Sequence, residues 1–225
     1  MTVQDWNPQI VAIADRFNRE YRGEAFDLPA EVEAMPIFQD RVSGSLQAKV
    51  TSPFWKLVQP QKNQNCLDIG CGVGFLIYNW RDWNAYYSGQ DVSKVACDAI
   101  NARAPQLNSK LFRGVKLEAA HQLQYDAKLF DLVISTGVSC YSSIEYWTFV
   151  LSEVKRVLKP GGVFVFDVLD PETPLAESWA ILETYLGTEV FLESLEDWKK
   201  AIQSEGGKIV KTQPGELFQL YKVTF

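Results

Sequence analysis

The sequence has little of what metal centres and disulfide frameworks require. Its 225 residues include a single histidine, His121, and the four cysteines form no C-x-x-C pair. Because zinc sites use closely spaced Cys and His ligands, no metal site is predicted. Cys66 and Cys97 fall within predicted elements, where buried free thiols are common. All four cysteines are therefore predicted to be reduced, in a cytoplasmic protein.

Long apolar runs and clustered basic residues are also lacking. No run approaches the ~20 apolar residues of a membrane span, and residues 1–10 show no basic segment typical of a signal peptide. The formal net charge is −6, with Lys and Arg scattered along the chain. This pattern argues against a membrane or a nucleic acid as the main partner. It leaves the oligomeric state open.

The length fits one domain with one sizeable core, predicted over residues 1–225. Residues 1–60 read as a helical lid: Asn7–Pro8 resembles a helix start, apolar residues follow at helical spacing, and Leu46 and Val50 suggest a second short helix. Pro29 and Pro36 are predicted to break the chain between these helices.

Residues 61–225 alternate between short apolar runs and helical patterns. The runs predict strands at Cys66–Ile69, Tyr86–Ser88, Leu111–Leu117, Leu129–Ser135 and Val163–Val168. The helical patterns include Val95–Ala102, a stripe from Trp147 to Leu158 closed by Pro160-Gly161-Gly162, and Leu195–Gln203. Such alternation predicts a parallel sheet covered on both faces. Two last runs, Lys208–Lys211 and Leu217–Thr224, flank Pro214-Gly215 and predict an antiparallel hairpin.

The stretch "CLDIGCGVGF" places three glycines directly after the first predicted strand of this region. Gly70, Gly72 and Gly74 allow a sharp turn and a close approach of a ligand to the backbone. Asp91 ends the next strand, where a carboxylate can bind both ribose hydroxyls; its alternative role is a helix N-cap. The spacing GxGxG is not the GxGxxG of dinucleotide sites, which counts against a nicotinamide dehydrogenase. Asp68 would repel a diphosphate and suits a cationic ligand better.

The order of four motifs, "LDIGCGVG", "GQDVS", "FDLVIS" and "LKPGG", resembles the class I S-adenosylmethionine-dependent methyltransferases, in particular their small-molecule "type 11" branch. The resemblance covers about Asn65 to the C-terminus. It implies a Rossmann-like, doubly wound seven-stranded sheet with a reversed C-terminal strand, and S-adenosylmethionine as the cofactor, released as S-adenosylhomocysteine.

The resemblance also implies a role for each matching residue. Asp68 lies near the cofactor's ammonium, the backbone of Gly70, Cys71 and Gly72 lines the cofactor, and Asp91 takes the ribose hydroxyls. Val92 packs on the adenine, and Ser135 and Thr136 lie beneath the methionine part. The family usually has an acidic residue after the third strand, facing the adenine amino group. Here Ala119 holds that place and Glu118 precedes it, so backbone groups of 118–120 or the Gln122 side chain are the substitutes.

For the reaction, the resemblance implies methyl transfer by in-line displacement to a small-molecule acceptor. Tyr141 is the candidate for orienting that acceptor, with packing under the next helix as its alternative. The lid aromatics Phe17, Tyr21, Phe38, Phe54 and Trp55 are interpreted first as core under the lid. Their alternative role is to line an apolar pocket, which favours a ring-bearing acceptor. Arg41 and Lys49 are candidates for the methionine carboxylate, although a surface charge is the favoured interpretation of each. His121 reads as a polar loop residue rather than a base. The alternative function is a catalytically silent cofactor-binding regulator or partner subunit.

Overall fold

The N-terminal part of the molecule is helical. The computed structural model describes residues 6–76, 78, 80–108 and 110–225. It begins with helices α1 (Asn7–Tyr21), α2 (Ala30–Glu33), α3 (Pro36–Ser43) and α4 (Leu46–Val50), followed by a 3-10 turn at Phe54–Lys56. The break predicted at Pro36 is not observed. Pro36 is instead the first residue of α3, where a proline has no helical hydrogen bond to lose.

The rest of the described chain contains the strands that the sequence predicts, most of them separated by helices. The elements in order are β1 (Asn65–Ile69), α5 (Trp80–Trp83), β2 (Tyr86–Asp91), α6 (Lys94–Asn108), β3 (Phe112–Leu117), β4 (Phe130–Ser135), α7 (Ile144–Val157), β5 (Leu158–Leu169), α8 (Ala176–Leu186), α9 (Leu195–Ser204), β6 (Lys208–Pro214) and β7 (Phe218–Thr224).

The seven strands form one sheet in the order β3-β2-β1-β4-β5-β7-β6. Strands β1 to β5 pair in parallel, whereas β7 runs antiparallel to both β5 and β6. The strand order reverses between β1 and β4, which is where ligands bind in doubly wound sheets. This arrangement confirms the predicted Rossmann-like sheet with a reversed C-terminal strand.

Apolar side chains fill both faces of the sheet. On one face, Trp147, Val150 and Val154 of α7 are buried with Phe164 and Phe166 of β5. Cys97 and Ile100 of α6 belong to a separate core cluster with residues of β1, β2 and β4. A strand buried on both sides needs a continuous apolar run, which explains why the five parallel strands were visible in the sequence.

Helix α7 and strand β5 meet earlier than predicted. The helix ends at Val157, and β5 begins at Leu158, which pairs with Phe130 before a register shift leads to the pairing of Val163 with Leu132. The residues between form an irregularity in which Gly161 has φ +79°. Residues 159–162, the Lys-Pro-Gly-Gly segment, therefore belong to the beginning of β5 and do not form a separate cap of α7.

Candidate active site

A cavity of about 870 Å³ opens at the carboxyl ends of the parallel strands. Its wall has two parts. The strand-tip half is formed by Asp68, Gly70, Cys71, Gly72, Asp91, Val92 and Glu118, and the helix half by Arg16, Glu20, Arg41, Tyr141 and Glu183. Residues from α1, α4 and the 3-10 turn complete the wall, so the helical N-terminal part covers the strand tips.

The glycine loop after β1 is held in a conformation that needs glycine. Gly70 and Gly72 have φ of +67° and +46°, in the left-handed region that L side chains rarely adopt. A Cβ on Gly70 would overlap the Val138 side chain, and one on Gly72 would overlap the hydroxyl of Tyr21. The Gly70 amide donates to the Gln90 carbonyl of β2 at 2.8 Å. The glycines thus make room for the side chains of Val138 and Tyr21 against the loop, and the close approach of a ligand stays a prediction.

Asp91 joins the glycine loop to the next helix. Its Oδ2 accepts from the Gly72 amide and its Oδ1 from the Ser93 amide, both at 2.7 Å. The helix N-cap is Ser93, whose Oγ accepts from the Ala96 amide at 3.1 Å. Asp91 is therefore not the N-cap considered as its alternative. Burial raises the pKa of this carboxyl group, although its backbone hydrogen bonds oppose the rise.

Asp68 is a carboxyl group for which no cationic partner is found among the described residues. It is fully buried near the end of β1, and the Tyr87 hydroxyl donates to its Oδ2 at 3.3 Å. Burial raises the pKa of Asp68 to about 8. A neighbouring positive charge would reverse this shift, so the site is electrostatically suited to a cationic ligand group.

The ends of β2 and β3 form the far end of the strand-tip half. Gln90 is buried, and its side-chain amide donates to the carbonyls of Ala119 and Gln122 at 2.9 and 3.2 Å. The Glu118 carboxylate accepts from the Ala119 amide at 2.9 Å. Glu118 and Ala120 line the cavity, whereas Ala119 does not. The amide and the carbonyl of Ala119 thus both make hydrogen bonds within the protein.

After β4, Thr136 lines the cavity but Ser135 does not. The Ser135 hydroxyl donates to the Ile69 carbonyl at 3.1 Å and so links β4 to β1. Thr136 Oγ1 lies 3.5 Å from the Tyr78 hydroxyl. The next amide, of Gly137, donates to Oδ1 of Asp167 on β5 at 2.8 Å. Burial raises the pKa of Asp167 to about 7, with Ser52 and Gly137 opposing the rise.

Helix α1 forms part of the cavity wall. Asn18 Oδ1 accepts from the Ser93 hydroxyl at 2.9 Å and from the Val95 amide at 3.1 Å, which fixes α1 on the start of α6. Phe17 packs edge-to-face on Tyr141, with ring centroids 5.4 Å apart. Phe17, Tyr21 and Trp55 of the predicted lid aromatics line the cavity, whereas Phe54 is completely buried in the core.

The helix half contains a buried ion cluster. Arg16 of α1 makes two contacts with Glu183 of α8, Nε to Oε2 at 2.9 Å and Nη2 to Oε1 at 3.0 Å. Its Nη1 also pairs with Glu20. Arg41 of α3 reaches the same Glu20 carboxylate at 3.2 Å. Two arginines and two glutamates thus connect three helices around one side of the cavity.

Tyr141 stands at the centre of the helix half. It ends the 3-10 turn Ser139–Tyr141 after β4, and its carbonyl accepts from the Gln9 side chain at 2.8 Å. The side chain is buried and lines the cavity. Burial and the nearby Glu183 raise the pKa of Tyr141, so the phenol stays protonated.

Several residues considered from the sequence lie away from the cavity wall. His121 Nδ1 is 3.3 Å from the Tyr146 hydroxyl, and only Tyr146 of this pair lines the cavity. Lys49 pairs with Asp40 on the outer side of the helices. Burial lowers the pKa of His121. These positions agree with the reading of His121 as a loop residue.

Arg16, Gln90, Asp167 and Glu183 were not singled out in the sequence. Glu183 lies in α8, which was not predicted, although Ala176, Trp179, Leu182 and Leu186 are buried at helical spacing. A helical reading of that stripe would have placed a carboxylate inside it. For Arg16 and Asp167 the sequence carries no such indication, because their partners are distant in the chain.

The described part of the chain contains neither a cluster of metal ligands nor a membrane-crossing helix. No three His, Cys, Asp or Glu side chains there are grouped to hold a metal ion. None of the helices described above combines the length and apolar character of a membrane-crossing segment.

The chain matches a known protein family over a region that includes many of the residues lining the cavity. Residues 67–166 match the family described as "Methyltransferase domain". The sterol 4-C-methyltransferase of Caenorhabditis elegans is 29% identical over 111 residues, which are 48% of this chain and 32% of that protein. The malonyl-[acyl-carrier protein] O-methyltransferase of a Paenibacillus species is 25% identical over 187 residues, 80% of this chain and 62% of that protein. The chain thus spans less than two thirds of either relative.

A solved structure shows the same fold. The geranyl diphosphate C-methyltransferase of Streptomyces coelicolor, in complex with Mg2+, geranyl diphosphate and S-adenosylhomocysteine, superposes with a TM-score of 0.67 at 15% identity. The match covers 96% of this chain and 97% of that protein. Together, these matches confirm the family resemblance that the four motifs carry.

Proposed function

We propose that the protein transfers a methyl group from S-adenosylmethionine to a small-molecule acceptor, because residues 67–166 match the family described as "Methyltransferase domain" and the four motifs resemble the S-adenosylmethionine-dependent class I enzymes. The observation that carries this proposal is the continuous cavity that joins the strand-tip half to the helix half. Its volume is near the upper end of the ~300–1,000 Å³ usual for small-ligand sites, which suits a cofactor together with an acceptor.

In this proposal, the strand-tip half holds the cofactor. The Asp91 carboxylate takes the ribose hydroxyls through lone pairs that its two amide partners leave free. Asp68 lies near the ammonium, where the positive charge favours its ionised form. The remaining contacts are proposed for the backbone of Gly70, Cys71 and Gly72, for Val92 on the adenine, for Glu118 at the adenine edge and for Thr136 beneath the methionine part. Ala119 and Ser135, which the motif resemblance also implied, do not line the cavity and are left out of the proposal.

The reaction proposed is a direct displacement. The acceptor's electron pair forms the new bond to the methyl carbon as the S–CH3 bond breaks, and the sulfonium becomes the neutral sulfide of S-adenosylhomocysteine. Proximity and orientation can supply roughly 7–11 kcal/mol of the barrier. Tyr141 orients the acceptor in this scheme, because Gln9 holds its backbone carbonyl and Phe17 packs on its ring, while its hydroxyl lies beside Glu183 of the ion cluster.

The acceptor's class rests on the lining of the helix half. Phe17, Trp55 and Trp179 provide aromatic surface there, which suits an apolar or ring-bearing molecule. The relatives named above act on a sterol, a malonyl group on a carrier protein and geranyl diphosphate, according to their names. A catalytically silent binder is not favoured, since these relatives are named as enzymes. A cytoplasmic location, the absence of nucleic-acid and membrane partners, and the lid role of residues 1–60 stay predictions.

Ligand-dependent melting tests the cofactor part of the proposal. S-adenosylmethionine and S-adenosylhomocysteine should both raise the melting temperature, whereas NAD should not. A ligand that binds only the native state stabilises it by about 2.7 kcal/mol at a hundredfold excess over Kd. The Asp91→Ala variant should bind S-adenosylhomocysteine more than tenfold more weakly, since it lacks a charge-assisted acceptor worth about 1.5–3 kcal/mol. A shift with NAD alone would end the proposal.

Methyl transfer itself is measured with S-adenosylmethionine labelled in the methyl group and a panel of phenols, amines and carboxylates. Turnover of any acceptor excludes the silent binder. With that acceptor, Tyr141→Phe should lower kcat while leaving S-adenosylhomocysteine affinity unchanged. Unchanged kcat would show that Tyr141 only packs against Phe17.

A further inference from the structure

Arg41 is the charged group whose donors the ion cluster uses least. Arg16 donates hydrogen bonds from Nε and Nη2 to Glu183 and pairs through Nη1 with Glu20. Arg41 makes one contact, from Nη2 to Glu20 at 3.2 Å, and has no further hydrogen bond to any described residue. Its side chain is 26% exposed and lines the cavity. Most of its N–H donors therefore remain available to a ligand.

A half-buried guanidinium with free donors is suited to a planar or tetrahedral oxyanion. Arginine offers five N–H donors in a fixed fork that matches a carboxylate or a phosphate. Building on the function proposed above, we propose that Arg41 forms an anion-binding subsite for a carboxylate or phosphate group of the methyl acceptor. The subsite fixes the charged end of the acceptor while Leu46 and Val50 contact its apolar part.

The charges around Arg41 are compatible with this occupant. Glu183 is satisfied by two hydrogen bonds from Arg16, and Glu20 is shared by both arginines. When an anion takes Arg41, Glu20 keeps its partner in Arg16, so no buried carboxylate is left without a cation. The sulfonium of the bound cofactor adds a further positive charge to the cavity. Burying both anion and guanidinium strengthens their attraction.

The methionine carboxylate of the cofactor is a second anion that could bind to Arg41. Arg41 lies in the helix half, and Glu183 and Tyr141 are the groups that oppose the lowering of its pKa by burial and by Arg16. Asp68, beside which the methionine ammonium is proposed to lie, is not among the groups that act on the pKa of Arg41. This placement favours the acceptor, and the two sources give different results in a binding experiment.

The experiment measures binding of matched probes to the S-adenosylhomocysteine complex by calorimetry. The probes are benzoate with benzamide, butyrate with butyramide, and phenyl phosphate. The variants are Arg41→Gln and, as a matched control, Lys49→Gln, which removes a cation from the neighbouring helix outside the cavity wall. We expect at least one carboxylate to bind tenfold or more tightly than its amide, Arg41→Gln to remove that preference, and Lys49→Gln to keep it.

A second arm compares S-adenosylhomocysteine with 5′-methylthioadenosine, which lacks the carboxylate. Both should bind Arg41→Gln within threefold of their affinity for the parent protein. Weaker binding of S-adenosylhomocysteine alone would assign Arg41 to the cofactor and overturn the proposal. Equal binding of acids and amides by the parent protein would also overturn it, with the proposed function left standing. Failure of the parent protein to bind S-adenosylhomocysteine would instead remove the function and the subsite together.

Discussion

The two halves of the cavity are built in different ways. In the strand-tip half, Asp68 and the glycine loop come from one stretch of ten residues, and backbone amides such as that of Gly72 make several of the contacts. In the helix half, side chains from α1, α3 and α8 meet although Arg16 and Glu183 are 167 residues apart in the chain. The first half is determined by local backbone geometry, and the second by how the helices pack.

This difference predicts how each half responds to substitution. A local loop loses its ligand when its backbone changes, while the fold around it persists. A cluster that joins distant helices loses stability when one of its charges is left unpaired. Substitutions in the strand-tip half should therefore change ligand binding, and substitutions in the ion cluster should change stability.

The largest effect is expected from breaking the buried ion pair. Glu183 is completely buried, so Glu183→Ala leaves Arg16 without its two-point partner. Loss of one member of a buried pair costs about 3–5 kcal/mol of the free energy of unfolding, which urea denaturation measures. The double variant Arg16→Met/Glu183→Leu should recover most of the loss. A single variant that costs under about 1 kcal/mol would show that the pair is not a structural link.

The second effect is expected at the glycine loop. Gly72→Val should abolish S-adenosylhomocysteine binding in calorimetry, since the new side chain meets the Tyr21 hydroxyl and the backbone has φ +46°. Gly161→Val is the matched control, because Gly161 has φ +79° with no atom within 4 Å of a Cβ. It should bear similar backbone strain and keep the ligand. Equal affinity in the two variants would remove the glycine loop from the binding site.

The same contrast explains how much the sequence could predict. The parallel strands, α7 and the glycine loop were predictable because each is encoded by neighbouring residues. Most of the residues proposed from the motifs do line the cavity, although Ala119 and Ser135 do not. The Arg16–Glu183 pair was not predictable, because an isolated arginine on an amphipathic helix looks like a surface residue. The start of α3 at Pro36 was missed since proline has opposite meanings inside and at the beginning of a helix.

A smaller, more specific effect concerns protons. With a pKa of about 8, Asp68 is mostly protonated at pH 7 in the free protein. The ammonium group proposed to lie beside Asp68 lowers that pKa, so binding of S-adenosylhomocysteine at pH 7 should release most of one proton. Calorimetry in buffers of different ionisation enthalpy measures this release. Asp68→Asn should abolish it, whereas Asp167→Asn should keep it, because Asp167 is buried behind Gly137 and does not line the cavity. If Asp68→Asn released as many protons on binding as the parent protein, the ligand's ammonium group would not lie beside Asp68.

The smallest effect is expected at His121. A general base must come within hydrogen-bond reach of the acceptor's proton, directly or through one water. The His121 ring instead packs edge-to-face on Tyr146, with centroids 5.3 Å apart, behind the cavity wall at the end of β3. Because a true base contributes roughly 10²–10⁴-fold, His121→Ala should leave kcat within about tenfold and raise the KM for S-adenosylmethionine only modestly. Steady-state kinetics with the acceptor found by screening measures kcat and KM. Tyr146→Phe removes the hydroxyl that lies against the His121 ring, and it should leave kcat within the same tenfold range. A loss in kcat beyond a hundredfold with intact cofactor affinity would place His121 in the reaction.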